Sequence, residues 1–245
     1  RKPASKAASK PAASKAMKPL KAPDLGALPE WNLADLYPAI DSPDIRRDLD
    51  RGETECLAFE KDYQGKLADL AATPAGWPAL AEAVRRYEAV QDLLGRVVSY
   101  ASLVYAGNTT DPARAKFYGD VQERITSISL HLLFFTLELN RIDDRKLEEA
   151  MDDPVLGHYR PWIEDVRKEK PYQLEDRIEQ LFHEKSVSGY SAWNRLFDET
   201  MAGLRFDVQG RNLAIEPTLN MLQDPSEKVR KSAAALLLQG QSGRR

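Results

Sequence analysis

The 245-residue sequence holds one cysteine, three histidines and no apolar run long enough to cross a membrane. Cys56 alone cannot close an internal disulfide, which fits a reducing compartment and predicts a cytoplasmic protein. No membrane partner is expected. There are no paired cysteines, no Walker-type phosphate loop and no Gly-x-Ser-x-Gly elbow. His131, His158 and His183 lie far apart, and no two have metal-ligand spacing. What is present is a soluble, globular composition, 42% hydrophobic and 30% charged.

Acid is missing from one end. Residues 1–22 carry Arg1, Lys2, Lys6, Lys10, Lys15, Lys18 and Lys21 and no carboxylate. Taking these seven from the 35 basic residues leaves 28 against 38 acidic ones, a balance of −10 for the remainder. An acidic body argues against a phosphate-binding surface, so no nucleic-acid partner is expected. The Lys/Ala/Ser/Pro composition cannot bury apolar area, and Pro3, Pro11 and Pro19 interrupt any helix. Residues 1–24 are therefore expected to be a disordered basic tail, and no signal-length apolar run follows the charges.

Order is expected from about residue 25. Leu28, Trp31, Leu33, Leu36 and Tyr37 predict a packed N-terminal strap. Ser42-Pro43, Asp111-Pro112, Asp153-Pro154 and Asp224-Pro225 each place a capping oxygen before a proline, the pattern of a helix start. Apolar stripes follow. Ile45, Leu49, Cys56, Phe59, Tyr63, Leu67 and Leu70 form the first. Leu80, Val84, Tyr87, Leu94, Val97, Ala101 and Val104 form the second, after Trp77. Val121, Ile125, Ile128, Leu132, Phe135 and Leu139 form the third, spanning 112–140. These predict three long antiparallel helices joined near Gly76 and Gly107. Shorter helices are expected at about 145–151, 154–168, 173–186 and 190–202. Leu204, Phe206 and Val208 alternate with polar residues before Gln209-Gly210-Arg211-Asn212, so one small β-hairpin is expected near 204–215. Helices resume at about 216–222 and 225–240. The fold class is mainly α, with an N-terminal helical lobe over 25–202 and a hairpin with further helices over 203–245.

No residue presents itself as catalytic or metal-binding. Cys56 falls on an apolar helix face, as a buried thiol does. Asp143, Asp144, Glu148, Glu149, Asp152 and Asp153 read as a solvated charged face with capping roles. Ser186-Val-Ser188-Gly189-Tyr190 reads as a helix-to-helix joint that sends Trp193, Leu196 and Phe197 into the core.

Four segments resemble oligoendopeptidase F, of the thimet-oligopeptidase-like zinc metallopeptidases, in that family's order. They are Leu28-Pro-Glu-Trp-Asn-Leu-Ala-Asp-Leu-Tyr37, Tyr105-Ala-Gly-Asn-Thr-Thr-Asp-Pro112, Leu132-Leu-Phe-Phe-Thr-Leu-Glu-Leu-Asn140 and Ser191-Ala-Trp-Asn-Arg-Leu-Phe-Asp-Glu199. Lys185–Met201 with Asp224–Leu238 resembles the region just ahead of its catalytic domain. The resemblance implies the N-terminal lobe of a two-lobed helical peptidase whose deep channel admits short peptides. Zinc held by His-Glu-x-x-His would activate water in the full-length parent. A helix puts residues i and i+4 on one face, so both imidazoles reach one metal and the Glu takes a proton from bound water. Here His183-Glu184 is followed by Lys185, Ser186 and Val187, so the second histidine is absent. The chain alone is expected to bind no zinc and to be inactive, a fragment whose role is to wall the channel. The alternative expectation is a non-catalytic helical interaction module. A lobe severed from its partner should bare an apolar face.

Overall fold

The computed structural model describes residues 31–208 and 210–242. The predicted tail over 1–24, and Leu28 of the strap, lie outside them. The described residues divide into two compact units, 31–200 and 201–242.

In the first unit the caps work as the sequence suggests. Ser42 Oγ accepts from Asp44 N–H and opens α1 (Pro43–Tyr63). Asp111 accepts from the amides of Ala113 and Arg114 and opens α4 (Pro112–Ser129). Between them run α2 (Leu67–Ala71) and α3 (Trp77–Gly107). Gly52 lies against Leu94, Phe59 against Tyr87 and Asp62 against Arg86, so α1 and α3 run antiparallel. Tyr100 meets Phe117, and Val104 accepts a hydrogen bond from Arg114, so α4 turns back along α3.

Two of the three long predicted helices are interrupted. The first stripe does not continue unbroken from Tyr63 to Leu67. Gly65 takes a left-handed φ of 77°, which only glycine adopts without steric cost. Its amide donates to Glu138 Oε1 at 2.6 Å, and Lys66 Nζ caps the Asp62 carbonyl at 2.6 Å. The third stripe is broken by a 3-10 turn, Leu130–Leu132, before α5 (Leu133–Arg141). The Thr126 carbonyl, which a continuous α-helix would give to residue 130, receives the Ser129 hydroxyl and the His183 ring instead. His131 in the turn bonds Glu60 of α1 at 2.8 Å.

Then come α6 (Asp144–Ala150), α7 (Pro154–His158), α8 (Arg160–Arg167), α9 (Asp176–Lys185) and α10 (Tyr190–Gly203). The single helix predicted over 154–168 is two, broken at Tyr159, because Pro161 has no N–H to continue the ladder.

One core cluster joins α1, α3, α5, α7 and α8 through Phe59, Leu80, Val84, Phe135, Leu156 and Ile163. A second joins the strap to α3 and α4 through Tyr37, Ile45, Val97, Tyr100 and Val121. The strap packs by Leu33, Leu36 and Tyr37, but Trp31 stays 81% exposed. Arg96 pins residues 35–37, donating to the Leu36 carbonyl at 2.8 Å and lying 5.0 Å from the Tyr37 ring. Trp31 is beyond that pin, ahead of the turn that Asn32 closes.

The second unit holds β1 (Phe206–Val208) and β2 (Arg211–Leu213), antiparallel with Phe206 opposite Leu213, then α11 (Ile215–Asn220) and α12 (Glu227–Ser242). The hairpin is shorter than predicted at its outer ends, since Leu204 precedes β1 and Ile215 already opens α11, and its turn is tighter, since Arg211 and Asn212 belong to β2. Phe206, Val208, Thr218, Val229 and Ala233 are buried. Asp224 is not the cap of α12. Its Oδ1 closes a turn on Ser226 N–H at 2.8 Å, and the helix begins at Glu227.

Candidate functional site

The three histidines stay apart. His131 is bonded to Glu60, and His158 ends α7 with its ring against Tyr159. His183 lies in the last turn of α9, its Nε2 2.9 Å from Ser129 Oγ and 3.2 Å from the Thr126 carbonyl. Among the described residues no group of three or more His, Cys, Asp or Glu is placed to hold a metal ion. The described residues therefore do not fit zinc, and no catalytic step through it is assigned to them.

The acidic run is used structurally. Asp143 and Asp153 cap α6 and α7. Asp144 accepts from Lys170 and Arg167, which hold its carboxyl below the ordinary value. Glu148 pairs with Arg160, and Glu149 with Arg145.

Ser129 and His183, 54 residues apart, form a contact that no sequence pattern announced. Its geometry does not serve nucleophilic catalysis. A carbonyl only accepts, so the bond to Thr126 requires the proton on Nε2. That nitrogen then cannot take the Ser129 proton. The contact pins α9 to α4.

Cys56 is wholly buried, and burial, followed by the nearby charges of Glu55 and Glu53, pushes its thiol up to about 12. The thiolate is the reactive form. A thiol reagent at mildly alkaline pH is expected to label Cys56 only at the rate at which the helices open, rising to the free-thiol rate in denaturant. Rapid labelling of the native chain would contradict this packing.

The residues that stand out are apolar. Ser186–Gly189 is the expected joint, with Ser186 Oγ on the His183 carbonyl at 2.7 Å. Trp193, Leu196 and Phe197 do not enter the core, however. They are 70%, 51% and 63% exposed. Ile178, Leu181 and Phe182 form a matching exposed stripe on α9, and Tyr172, Leu174 and Tyr190 are exposed nearby in sequence. The contacts that seat these helices are instead polar. Arg141 pairs with Asp176, Gln173 Nε2 donates to the Leu137 carbonyl, and Arg195 reaches Gln122. The i, i+3, i+4 spacing is legible in sequence; the direction it faces is not.

A cleft of about 660 Å³ opens elsewhere, lined by Trp31, Tyr37, Ile40, Tyr100, Leu103 and Arg114 among others. Arg114 is committed to Asp111 and the Val104 carbonyl, so the cleft is an apolar recess beside the strap.

Residues 138–206 match the family model described as Oligopeptidase F. Over 214 residues, 83% of this chain, the sequence is 25% identical to Oligopeptidase PepF of Bacillus subtilis (strain 168), covering 30% of that protein. It is 23% identical over 154 residues to the Oligoendopeptidase F homolog of Borreliella burgdorferi, 62% of this chain and 26% of that one. The crystal structure of oligoendopeptidase-F from Enterococcus faecium shares the fold at a TM-score of 0.65, with 18% identity, over 81% of this chain and 39% of that one. The chain thus spans about a third or less of the length of the curated relatives it matches.

Proposed function

We propose that this chain, which resembles the N-terminal portion of oligoendopeptidase F, is the helical lobe of a cytoplasmic, zinc-dependent peptidase that hydrolyses short peptides. The carrying observation is the run of similarity to Oligopeptidase PepF over 83% of the chain. The lobe itself walls one side of the peptide channel. Zinc and its chemistry belong to the part of the relatives that this chain does not span. The buried Cys56 agrees with a reducing compartment. Among the described residues no helix is long and apolar enough to cross a membrane.

The test uses the product of the complete gene. It is expected to cleave a short quenched peptide, to lose that activity to a chelator, to regain it with zinc, and to leave a long unfolded chain uncut. Full activity after chelation defeats the zinc dependence, and no cleavage at all defeats the peptidase reading and leaves a non-catalytic interaction module in its place. For the channel wall, a short peptide carrying a photoreactive group is expected to crosslink to residues within 29–200. Crosslinks confined to other parts of the protein defeat that role alone.

A further inference from the structure

The cleft beside the strap has the size and lining of a ligand site. Its volume of about 660 Å³ falls within the roughly 300–1,000 Å³ of small-molecule pockets. Trp31, Ile40 and Leu103 are large apolar side chains that the fold leaves in water, and all three line it, with the rings of Tyr37 and Tyr100. Trp31 gains burial only when something fills the recess beside it.

One edge of the cleft is polar. Ala106 and Gly107, the last residues of α3, also line it. The final four carbonyls of a helix have no partner within it. Val104 receives Arg114 and Tyr105 receives the Asn108 amide, but the carbonyls of Ala106 and Gly107 accept nothing among the described residues. A helix C-terminus carries partial negative charge and favours a cation, and aromatic faces do the same. The charges nearby do not oppose one. Arg114 is spent on Asp111 and the Val104 carbonyl, Arg96 on the carbonyls of Asp35 and Leu36, and Arg47 on Asp44 and Asp48. Among residues 32–48, Asp35 and Asp41 make no ion pair, and Arg46 is the only base that makes none. Asp41 is close enough to Tyr100 for its charge to add to burial in raising that phenol.

We infer that this cleft binds an apolar amine, its apolar body in the recess among Trp31, Tyr100 and Leu103 and its ammonium against the Ala106 and Gly107 carbonyls. The source of that chemistry is the unblocked N-terminus of a short peptide whose first side chain is large and apolar. Taking a peptide as the source rests on the proposed function. The ammonium donates hydrogen bonds to carbonyls that otherwise have only water, and the side chain covers the exposed indole.

Binding of phenylalanyl-glycinamide to the 245-residue chain, followed by NMR titration, tests this. The dissociation constant is expected on the order of 1 mM, and acetylating the amine should weaken binding about fivefold or more. Glycyl-phenylalaninamide keeps the amine but moves the ring one residue away, and should bind as weakly as the acetylated form. Trp31→Ala and Leu103→Arg should each weaken binding of the free amine by about fivefold. Both side chains are exposed, so helical dichroism should not change, and either variant decides if the other fails to fold. No binding, equal binding of all three peptides, or binding indifferent to the folded variants overturns the inference. Peptide cleavage by the product of the complete gene is read separately. Binding without cleavage keeps the cleft as an amine site and defeats the peptidase reading. Cleavage without binding does the reverse.

Discussion

Phe59→Ala is expected to lower the unfolding free energy of the unit spanning residues 29–200 by about 4 kcal/mol, the middle of the range for emptying an aromatic site in a packed core. Phe59 is wholly buried and is the ring that α1 contributes to the junction of α3 and α5. Its centroid lies 5.0 Å from Tyr63, 5.1 Å from Phe135, 5.7 Å from Phe134 and 6.1 Å from Tyr87. Tilted and edge-on aromatic pairs of this kind add about 0.5–1.5 kcal/mol each beyond area alone. Alanine removes all four at once. The surrounding rings are held by their own helices and cannot collapse into the space, so a cavity remains. Leu57→Ala, at a half-exposed site on the same helix, is the control and should stay within about 0.5 kcal/mol. Urea unfolding followed by helical dichroism measures both. A Phe59→Ala cost near that of the control would mean that the aromatic junction is not closed.

That junction is legible in the sequence because all its rings but Phe134 sit on a helical repeat. Phe59, Tyr87 and Phe135 fall on the predicted stripes, and Ser42, Asp111 and Asp153 cap the helices as their chemistry predicts. The breaks were less legible, for physical reasons that differ from case to case. Pro161 ends α7 by an ordinary local rule, its missing N–H. The turn at Leu130–Leu132 depends on His183, 54 residues from Ser129, competing for a carbonyl. No local pattern encodes that. Asp224 carries the right residue before a proline, but its oxygen is spent on Ser226.

The exposed stripe is a different kind of failure. Periodicity in Trp193, Leu196 and Phe197 established that α10 is amphipathic. It could not establish whether the apolar face meets this chain or another one. Burial is a property of the assembly, whereas periodicity is a property of the segment. The same distinction applies to Trp31, which the strap reading placed inside and the structure leaves in water. Where a helix is seated by polar contacts, as α9 is by Asp176 and His183, the apolar stripe is free for a partner and the segment alone does not name it.

Stability should begin to fall above about pH 8.5, where the Cys56 thiol of the unfolded chain ionises, and fall more steeply above about pH 10, the ordinary phenol value. Tyr37, Tyr87 and Tyr100 all have phenols raised by burial, and Tyr37 further by its hydrogen bond to Asp48. The sign follows from proton binding. Above the unfolded value the unfolded chain releases these protons while the folded chain still holds them. The stability tied to the neutral phenols is therefore complete below pH 10 and is lost as pH rises towards their folded values. Tyrosinate absorbance from the buried phenols should appear in the same step as the loss of helical dichroism. Complete ionisation with the helices intact would show that these rings are open to water. Tyr37→Phe sharpens the test because its effect depends on pH. At pH 7 it removes the 2.9 Å bond to the buried Asp48 carboxylate, leaving Arg47 at 3.4 Å as the remaining partner, and should cost about 1–3 kcal/mol. Above pH 10 the wild type progressively loses the preference for a neutral phenol that the variant never had. The gap between the two proteins should narrow as pH rises. No gap at any pH would mean that Tyr37 contributes only its packing, which phenylalanine keeps, and that the strap is held by Arg96 and the apolar contacts of Leu33 and Leu36.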